Sequence, residues 1–282
     1  MKEYIIVGIA LLTVVFLSGC IGQPPQNVTV TGGRISVSLN VTPLTAPKNT
    51  PISVVLTVSN KALFPIRDVK AALFGPVEWD LGGEKSAPRI EPNGERIFTW
   101  NIRTSVPRSA NIHARVNYMV ETNRSASYRV VKYGTPTNEK PGLVSSSITN
   151  DLGGPIRIEF EGDASYVYPD EEGRVNIKII LTNRGDGRAY KVGGTPEQEK
   201  GLDQVDVYIS APGLTFSESS DDACKGTNPT VDLVGKTMGI IICEAAIQPD
   251  EIEILNDYLV TVTVRYNYYQ EKTTPTITIT ER

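Results

Sequence analysis

The side chains best suited to catalysis or metal binding are scarce in this chain of 282 residues, which has one histidine and three cysteines. A zinc site, an iron–sulfur cluster or a histidine-based triad each needs more of these residues than one domain could supply. The single histidine, His113, shares one side of a strand-like segment with Arg115, so we expect it on the surface. These observations predict no catalytic residue, no metal site and no cofactor, and they favour a protein that is not an enzyme.

Two acidic segments and one tripeptide are the remaining chemical signals in the loops. Residues 169–173 and 219–222 carry oxygen ligands that Ca²⁺ could use, but neither has the spacing of an EF-hand loop, so we interpret both as solvated turns. Arg184-Gly185-Asp186 spells a cell-adhesion tripeptide in a segment typical of a turn. Arg184 and Asp186 are therefore candidate contact residues.

The two tryptophans lie in different sequence contexts. Trp100 alternates with apolar neighbours, which predicts a core position, whereas Trp79 lies in a loop-like segment and is a third candidate contact residue. Two long irregular stretches, over residues 184–203 and 213–236, are further places where a rigid scaffold would present a binding surface.

The N-terminus indicates the compartment. A short charged start precedes 13 apolar residues, at 5–17, and then small residues, which is the order of a secretory signal. Leu17-Ser18-Gly19-Cys20 resembles the lipobox of bacterial and archaeal lipoproteins. The resemblance implies cleavage before Cys20 and a lipid on its thiol, which anchors the protein to the cell membrane on the extracellular face. An uncleaved N-terminal anchor is the alternative and gives the same topology.

Export has two consequences for the rest of the chain. Asn27, Asn40 and Asn123 begin Asn-x-Ser/Thr sequons and are candidate glycan acceptors in an exported protein. With the first cysteine assigned to lipid, Cys224 and Cys243 remain, and two thiols in an oxidising compartment most simply form a disulfide.

Period-two alternation of apolar and polar residues dominates the chain after the signal. Residues 35–41 and 52–58 both show it, and each predicts a half-buried strand. No convincing helical pattern follows the signal, and Gly, Pro, Asn and Asp interrupt the strands every ten or so residues. The pattern predicts an all-β chain of antiparallel sandwiches.

The same series of motifs occurs twice in the same order, which indicates an internal duplication. The matching pairs are Val54–Asn60 with Ile177–Asn183, Val69–Leu73 with Val205–Ile209, and Arg115–Tyr118 with Arg265–Tyr268.

These motifs resemble the immunoglobulin-like repeats of archaeal S-layer-type and adhesion-related surface proteins, a group that includes the cell-adhesion-related domain of bacteria. The resemblance implies two tandem immunoglobulin-like β-sandwich domains that pack or bind outside the cell, and it brings no catalytic residues. We predict a signal peptide over 1–19, a tether over 20–33, a first sandwich over 34–135, a linker over 136–150, and a second sandwich, with the disulfide, over 151–282.

Charge is distributed unevenly between the two predicted sandwiches. Residues 28–135 hold 14 Lys and Arg against 7 Asp and Glu, a net charge of +7, whereas residues 150–282 hold 12 against 23, a net charge of −11. A basic domain next to a lipid anchor is attracted to anionic headgroups, and opposite charges favour head-to-tail self-association. Nucleic acid is not expected as a partner in an external compartment.

The sequence therefore predicts a lipid-anchored extracellular surface protein that acts as a non-enzymatic binding or structural module for an envelope protein or glycan. The alternative is an accessory lipoprotein that captures a ligand for a transport or secretion complex.

Overall fold

The computed structural model describes residues 34–146, 153–169, 171–195, 199–252 and 254–281. These residues belong to one compact unit. The predicted signal peptide, Cys20, the tether and the sequon at Asn27 lie outside the described residues. In the described part of the chain, no helix has the length and apolarity that a membrane crossing requires.

The fold is all-β, as the sequence predicts, and its only regular helices in the described residues are two single turns, α1 (Asp222–Lys225) and a 3-10 turn (Pro249–Glu251). The strands are β1 (Ile35–Thr42), β2 (Thr45–Pro47), β3 (Ile52–Asn60), β4 (Ile66–Phe74), β5 (Lys85–Ile90), β6 (Glu95–Ile102), β7 (Ser109–Ala110), β8 (His113–Lys132), β9 (Gly142–Ser146), β10 (Ile156–Ala164), β11 (Tyr166–Val167), β12 (Gly173–Asn183), β13 (Arg188–Thr195), β14 (Lys200–Leu202), β15 (Gln204–Ser210), β16 (Thr215–Phe216), β17 (Thr230–Asp232), β18 (Met238–Ile247), β19 (Leu255–Thr273) and β20 (Ile277–Thr280).

Two very long strands form the centre of the largest sheet. β8 and β19 pair antiparallel along their whole length, from His113 opposite Thr273 to Val131 opposite Leu255. The other strands extend this sheet on both sides in the order β14-β13-β19-β8-β4-β5, and β15, β9 and β11 also pair with the central strands. The two halves of the chain are therefore joined by one continuous ladder.

Smaller sheets contribute the other buried faces. One has the order β1-β3-β6 and another the order β10-β12-β18-β16. In β3 every second residue is buried, because the alternation found in the sequence places one apolar face inward. Buried residues from these sheets and from β8 and β19 join one hydrophobic cluster. A third small sheet, β2-β20-β7, ties the end of the chain to its first half.

The duplicated motif on the two long strands lies at an approximate two-fold axis, which we call the dyad. Tyr118 lies directly opposite Tyr268 in the β8–β19 ladder, and these two residues occupy the same place in the repeated motif. The axis therefore passes between them and exchanges the halves. It also relates two ion pairs, Arg115 with Glu271 at 2.7 Å and Arg265 with Glu121 at 3.8 Å.

The asparagine that ends the duplicated strand closes the same turn in both halves. Asn60 Oδ1 accepts from the backbone N of Ala62, two residues on, and its Nδ2 donates to the carbonyl of Phe64, four residues on. Asn183 does the same with Gly185 and Gly187. An Asx turn of this kind satisfies backbone groups that the strand pairing leaves open.

The halves differ by an inserted hairpin and by the segment that follows β8. Lys70 and Tyr190 lie opposite the equivalent residues Asn117 and Asn267, and residues 72 and 206 lie opposite the equivalent positions 115 and 265. Only 1 residue lies between 70 and 72, whereas 15 residues lie between 190 and 206. The extra residues include the β13–β14 hairpin. Within the predicted linker, β9 pairs with β8. The division into two separate sandwiches stays a prediction.

Candidate functional site

An open trough of about 630 Å³ lies between the inserted hairpin and strands β4 and β5, and we call it the dyad trough. Its floor consists of outward-facing residues of β8 and β19, on the side of the large sheet opposite the core. Cavities of this size are typical of small-ligand sites. The trough is lined by Asp68, Val69, Lys70, Ser86, Ala87, Pro88, Asn117, Tyr118, Met119, Tyr190, Val192, Gly193, Gly194 and Asn267.

The floor of the dyad trough carries two equivalent amides. Asn117 and Asn267 occupy the same position of the duplicated motif, next to the dyad, and Met119 lies opposite Asn267 in the ladder. Asn117 Oδ1 is buried and has no hydrogen-bond partner among the described residues. Rotation of a carboxamide exchanges its oxygen and nitrogen, so this side chain can offer a ligand either an acceptor or a donor. An unsatisfied buried carbonyl favours the entry of a polar group that donates to it.

Backbone conformation shapes both walls of the trough. On the β4 side, Asp68 has a φ of 50°, outside the range of strand residues, at a bulge where the register with β8 shifts between Arg67 and Lys70. On the hairpin side, Gly193 has φ of 80°, and a Cβ on Gly194 would lie 2.5 Å from the carbonyl oxygen of Lys200. The two strands of the hairpin therefore need glycine at both positions to take this backbone course beside the trough.

An ion pair holds the base of the inserted hairpin. The Arg188 guanidinium donates to both carboxylate oxygens of Asp203, with Nε 3.1 Å from Oδ1. This hydrogen bonding raises the pKa of Arg188. Next to the pair, Tyr190 is buried, and its ring centroid lies 6.2 Å from that of Tyr269. The ion pair and the ring contact thus fix the base of the hairpin, in addition to the pairing between its strands.

Three tyrosines lie on the core side of the sheet beneath the trough. Tyr118 and Tyr266 have ring centroids 5.8 Å and 6.2 Å from that of Tyr268. Tyr268 donates to Asn183 Oδ1 at 3.0 Å, and Tyr266 accepts from the backbone N of Ile156 at 3.1 Å. Desolvation raises the pKa of all three phenols, that of Tyr268 to about 12. They are therefore protonated packing elements and cannot serve as bases near neutral pH.

The lining of the trough is suited to binding. Its charged side chains are Asp68 and Lys70, one of each sign, on the same strand, and both are exposed. The other polar groups are amides, hydroxyls and main-chain atoms, which recognise neutral polar ligands through hydrogen bonds. No group of three or more His, Cys, Asp or Glu residues that could hold a metal ion occurs in the residues that the structure describes.

The predicted site residues lie elsewhere. Cys224 and Cys243 form the expected disulfide, which links α1 to β18 with a Cα–Cα distance of 5.7 Å. Trp79 is only 4% exposed and belongs to the core, which corrects the expectation of an exposed contact residue. Its backbone N donates to the carbonyl of Pro76 at 3.1 Å.

The cell-adhesion tripeptide is part of the Asn183 turn. Arg184 and Asp186 are exposed there. A Cβ on Gly185 would lie 2.4 Å from the Tyr268 hydroxyl, so packing against this tyrosine explains the glycine. The backbone N of Arg184 donates to the carbonyl of Pro155. These contacts give the tripeptide a structural reason, and its role as a contact stays a prediction.

The sequons inside the described residues are at Asn40 on β1 and Asn123 on β8, and both side chains are exposed. They satisfy the accessibility that a glycan acceptor needs, and modification itself stays a prediction. Neither residue lines the dyad trough.

Two signals in the sequence pointed toward the trough without locating it. Asn117 and Asn267 belong to the duplicated motif, and Gly193 and Gly194 belong to the long stretch over 184–203. Local patterns do not show that β8 and β19 pair, so the two amides could not be placed side by side from the sequence.

No protein-family model matches the chain, and no curated protein matches it. The solved structures to which the chain is similar include a transglutaminase of red sea bream, with 9% sequence identity and a TM-score of 0.22. The similarity covers 87% of this chain and 31% of that one. A similarity this weak carries no argument about fold or function.

Proposed function

We propose that this protein is a lipid-anchored extracellular surface protein that binds an envelope protein or glycan without catalysing a reaction. The observation that carries the proposal is the dyad trough, with the unpartnered Asn117 carbonyl in its floor. A cradle of amides, main-chain groups and one charge of each sign suits a ligand that is retained through hydrogen bonds. The inserted hairpin supports this role, because it adds a wall to the trough in only one half of the duplicated fold.

Two further observations support the extracellular location. The Cys224–Cys243 disulfide is of a kind that persists in oxidising compartments. The resemblance of residues 17–20 to a lipobox supports lipid attachment at Cys20.

Labelling of cells with a radioactive fatty acid tests the anchor: the native chain should incorporate label and sediment with membranes, and C20S should do neither. Label on C20S would overturn this part of the proposal.

Binding in the dyad trough is tested with purified cell envelopes and the full chain in detergent. We expect N117A/N267A to lower the affinity for envelopes by about ten-fold, because the ligand would lose its hydrogen bonds to both floor amides. N176A is the matched control, since Asn176 is an exposed asparagine on β12 outside the trough. Equal affinity of N117A/N267A and the native chain would show that the trough does not bind the envelope.

A second candidate function is ligand capture for a transport or secretion complex, and the volume of the trough favours it. An open site of about 630 Å³ is large enough to receive part of a small molecule. This function predicts that a small molecule from a dialysed growth extract co-purifies with the native chain and is lost in N117A/N267A. Retention of envelopes without any small molecule would favour the first proposal.

A further inference from the structure

Three exposed tyrosines form a contiguous cluster at the end of β8, away from the dyad. We call Tyr133, Tyr166 and Tyr168 the tyrosine triad. The ring of Tyr133 stacks on that of Tyr168, with centroids 4.4 Å apart, and meets that of Tyr166 edge-on at 6.3 Å. The exposed fractions of the three residues are 57%, 38% and 40%. Exposed apolar surface that is contiguous marks an interaction site more often than scattered side chains do.

The backbone beneath the tyrosine triad is fixed by pairing and burial. β11 lies parallel to the end of β8, with Tyr166 opposite Val131, and the backbone N of Tyr133 donates to the carbonyl of Val167 at 2.7 Å. Val167 is fully buried, so the alternation along Tyr166-Val167-Tyr168 directs both tyrosines outward. The rings are therefore held in position before any ligand arrives, which lowers the entropic cost of binding.

The charges next to the tyrosine triad disfavour an anionic ligand. The exposed Glu171 follows Tyr168 in a turn, where its backbone N lies 3.4 Å from the Tyr168 carbonyl oxygen. The nearby cations have partners of their own: Lys132 Nζ donates to the carbonyl of Ile252, and Arg129 pairs with Asp257 at 2.8 Å. Phosphate groups of a lipid surface would thus be repelled by the Glu171 charge, and the Arg129 charge is already compensated by Asp257.

We propose that the tyrosine triad is a stacking site for a neutral pyranose whose substituents are equatorial. Such a sugar presents axial C–H groups on a flat apolar face that can lie against the exposed side of the Tyr133–Tyr168 stack, while its hydroxyls donate to the phenol oxygens. Tyrosine suits this task because it combines a rigid aromatic surface with a polar tip. The inference specifies the glycan branch of the proposed function, but it rests on residues outside the dyad trough, so the two can fail separately.

The test titrates the full chain in detergent micelles with cellotriose and with N,N′,N″-triacetylchitotriose, observed by saturation-transfer NMR. We expect Y133A and Y168A each to weaken binding by about ten-fold, as loss of one stacking partner does for other flat ligands. Y133F keeps the ring and should bind nearly as the native chain does, which also shows that the fold tolerates a change there. Y208A is the matched control, because Tyr208 is 50% exposed on β15 but outside the triad.

The proposal is overturned if neither saccharide binds the native chain at millimolar concentration, or if Y208A weakens binding as much as Y133A. It is also overturned if a decaproline peptide or anionic phospholipid vesicles bind in a Tyr133-dependent manner and the saccharides do not. N117A/N267A should leave saccharide binding to the triad unchanged, so failure of the trough proposal would not remove this signal. Loss of saccharide binding in N117A/N267A with no loss in Y133A would assign the saccharide to the trough and overturn the triad.

Discussion

Replacement of Asn60 by alanine tests whether the duplicated turn stabilises the fold. Asn60 is fully buried, and its Nδ2 donates to the carbonyls of Phe64, Ile90 and Glu91 at 2.9, 3.2 and 3.2 Å. Its Oδ1 accepts from the backbone N of Ala62 at 3.1 Å. N60A removes both side-chain groups at once and leaves these backbone groups without their partner in a site that is largely buried.

The expected cost follows from the number of bonds and from their burial. Each hydrogen bond contributes about 0.5 to 1.5 kcal/mol, and buried groups left unsatisfied add to the loss, so N60A should lower the free energy of unfolding by about 3 to 5 kcal/mol. Asn183 makes equivalent bonds, but it is half-buried and its bond to the Lys236 carbonyl is exposed. Water can replace part of that network, and N183A should cost only about 1 to 2 kcal/mol.

Urea denaturation of the full chain in a nonionic detergent measures both values. Fluorescence suits the assay because Trp79 and Trp100 are 4% and 3% exposed and become hydrated on unfolding. N60D is a useful comparison, because it replaces the donating Nδ2 by a carboxylate oxygen that would face three carbonyl oxygens. N60D should therefore lower the free energy of unfolding at least as much as N60A does. A loss below about 1 kcal/mol for N60A, or a larger loss for N183A, would refute the assignment of stability to burial of this turn.

Three further predictions concern the whole fold. Calorimetry should give a single cooperative unfolding transition, because the long β8–β19 ladder joins the two halves; two transitions well separated in temperature would contradict this. The C224A/C243A variant should lose about 3 kcal/mol, the entropy expected for a loop closed over a separation of 19 residues, and denaturation midpoints equal to those of the native chain would exclude such a contribution. Alkali should unfold the protein from about pH 10 upward, because burial raises the pKa values of Tyr118, Tyr266 and Tyr268 in the folded chain. The unfolded chain therefore loses these protons at a lower pH than the folded chain does, and the stability present below pH 10 is lost as the pH rises. Tyrosinate absorbance that rises fully while the circular dichroism of the fold is retained would contradict that order of events.

Alternation along the chain was sufficient to predict the strands and much of the core. The apolar positions of β3 and Trp100 are buried as predicted, and His113 is exposed as predicted. Pattern is informative there because a strand has a fixed period of two, so each residue's side follows from its neighbours. Trp79 lies in a segment between strands without such a period, so its neighbours in the sequence do not show on which side its ring lies.

Pairing between distant strands could not be predicted from the same pattern. Tyr266 and Tyr268 lie within β19 and are fully buried, because β8 pairs with this strand along its length. The duplicated motif indicated that the two segments are equivalent, not that they face each other across a dyad. The dyad trough depends on that pairing and on the inserted hairpin, so neither half of the sequence contains it alone.

The point where the chain enters the described fold has a consequence for how the fold resists a pulling force. Arg34 precedes β1, and its backbone N donates to the carbonyl of Gly153, next to the start of β10, while its own carbonyl accepts from the backbone N of Lys61. Arg34 is thus hydrogen-bonded to both halves of the chain. A force applied at this residue would act on both halves at once, and the first strand could not detach without breaking a contact to each.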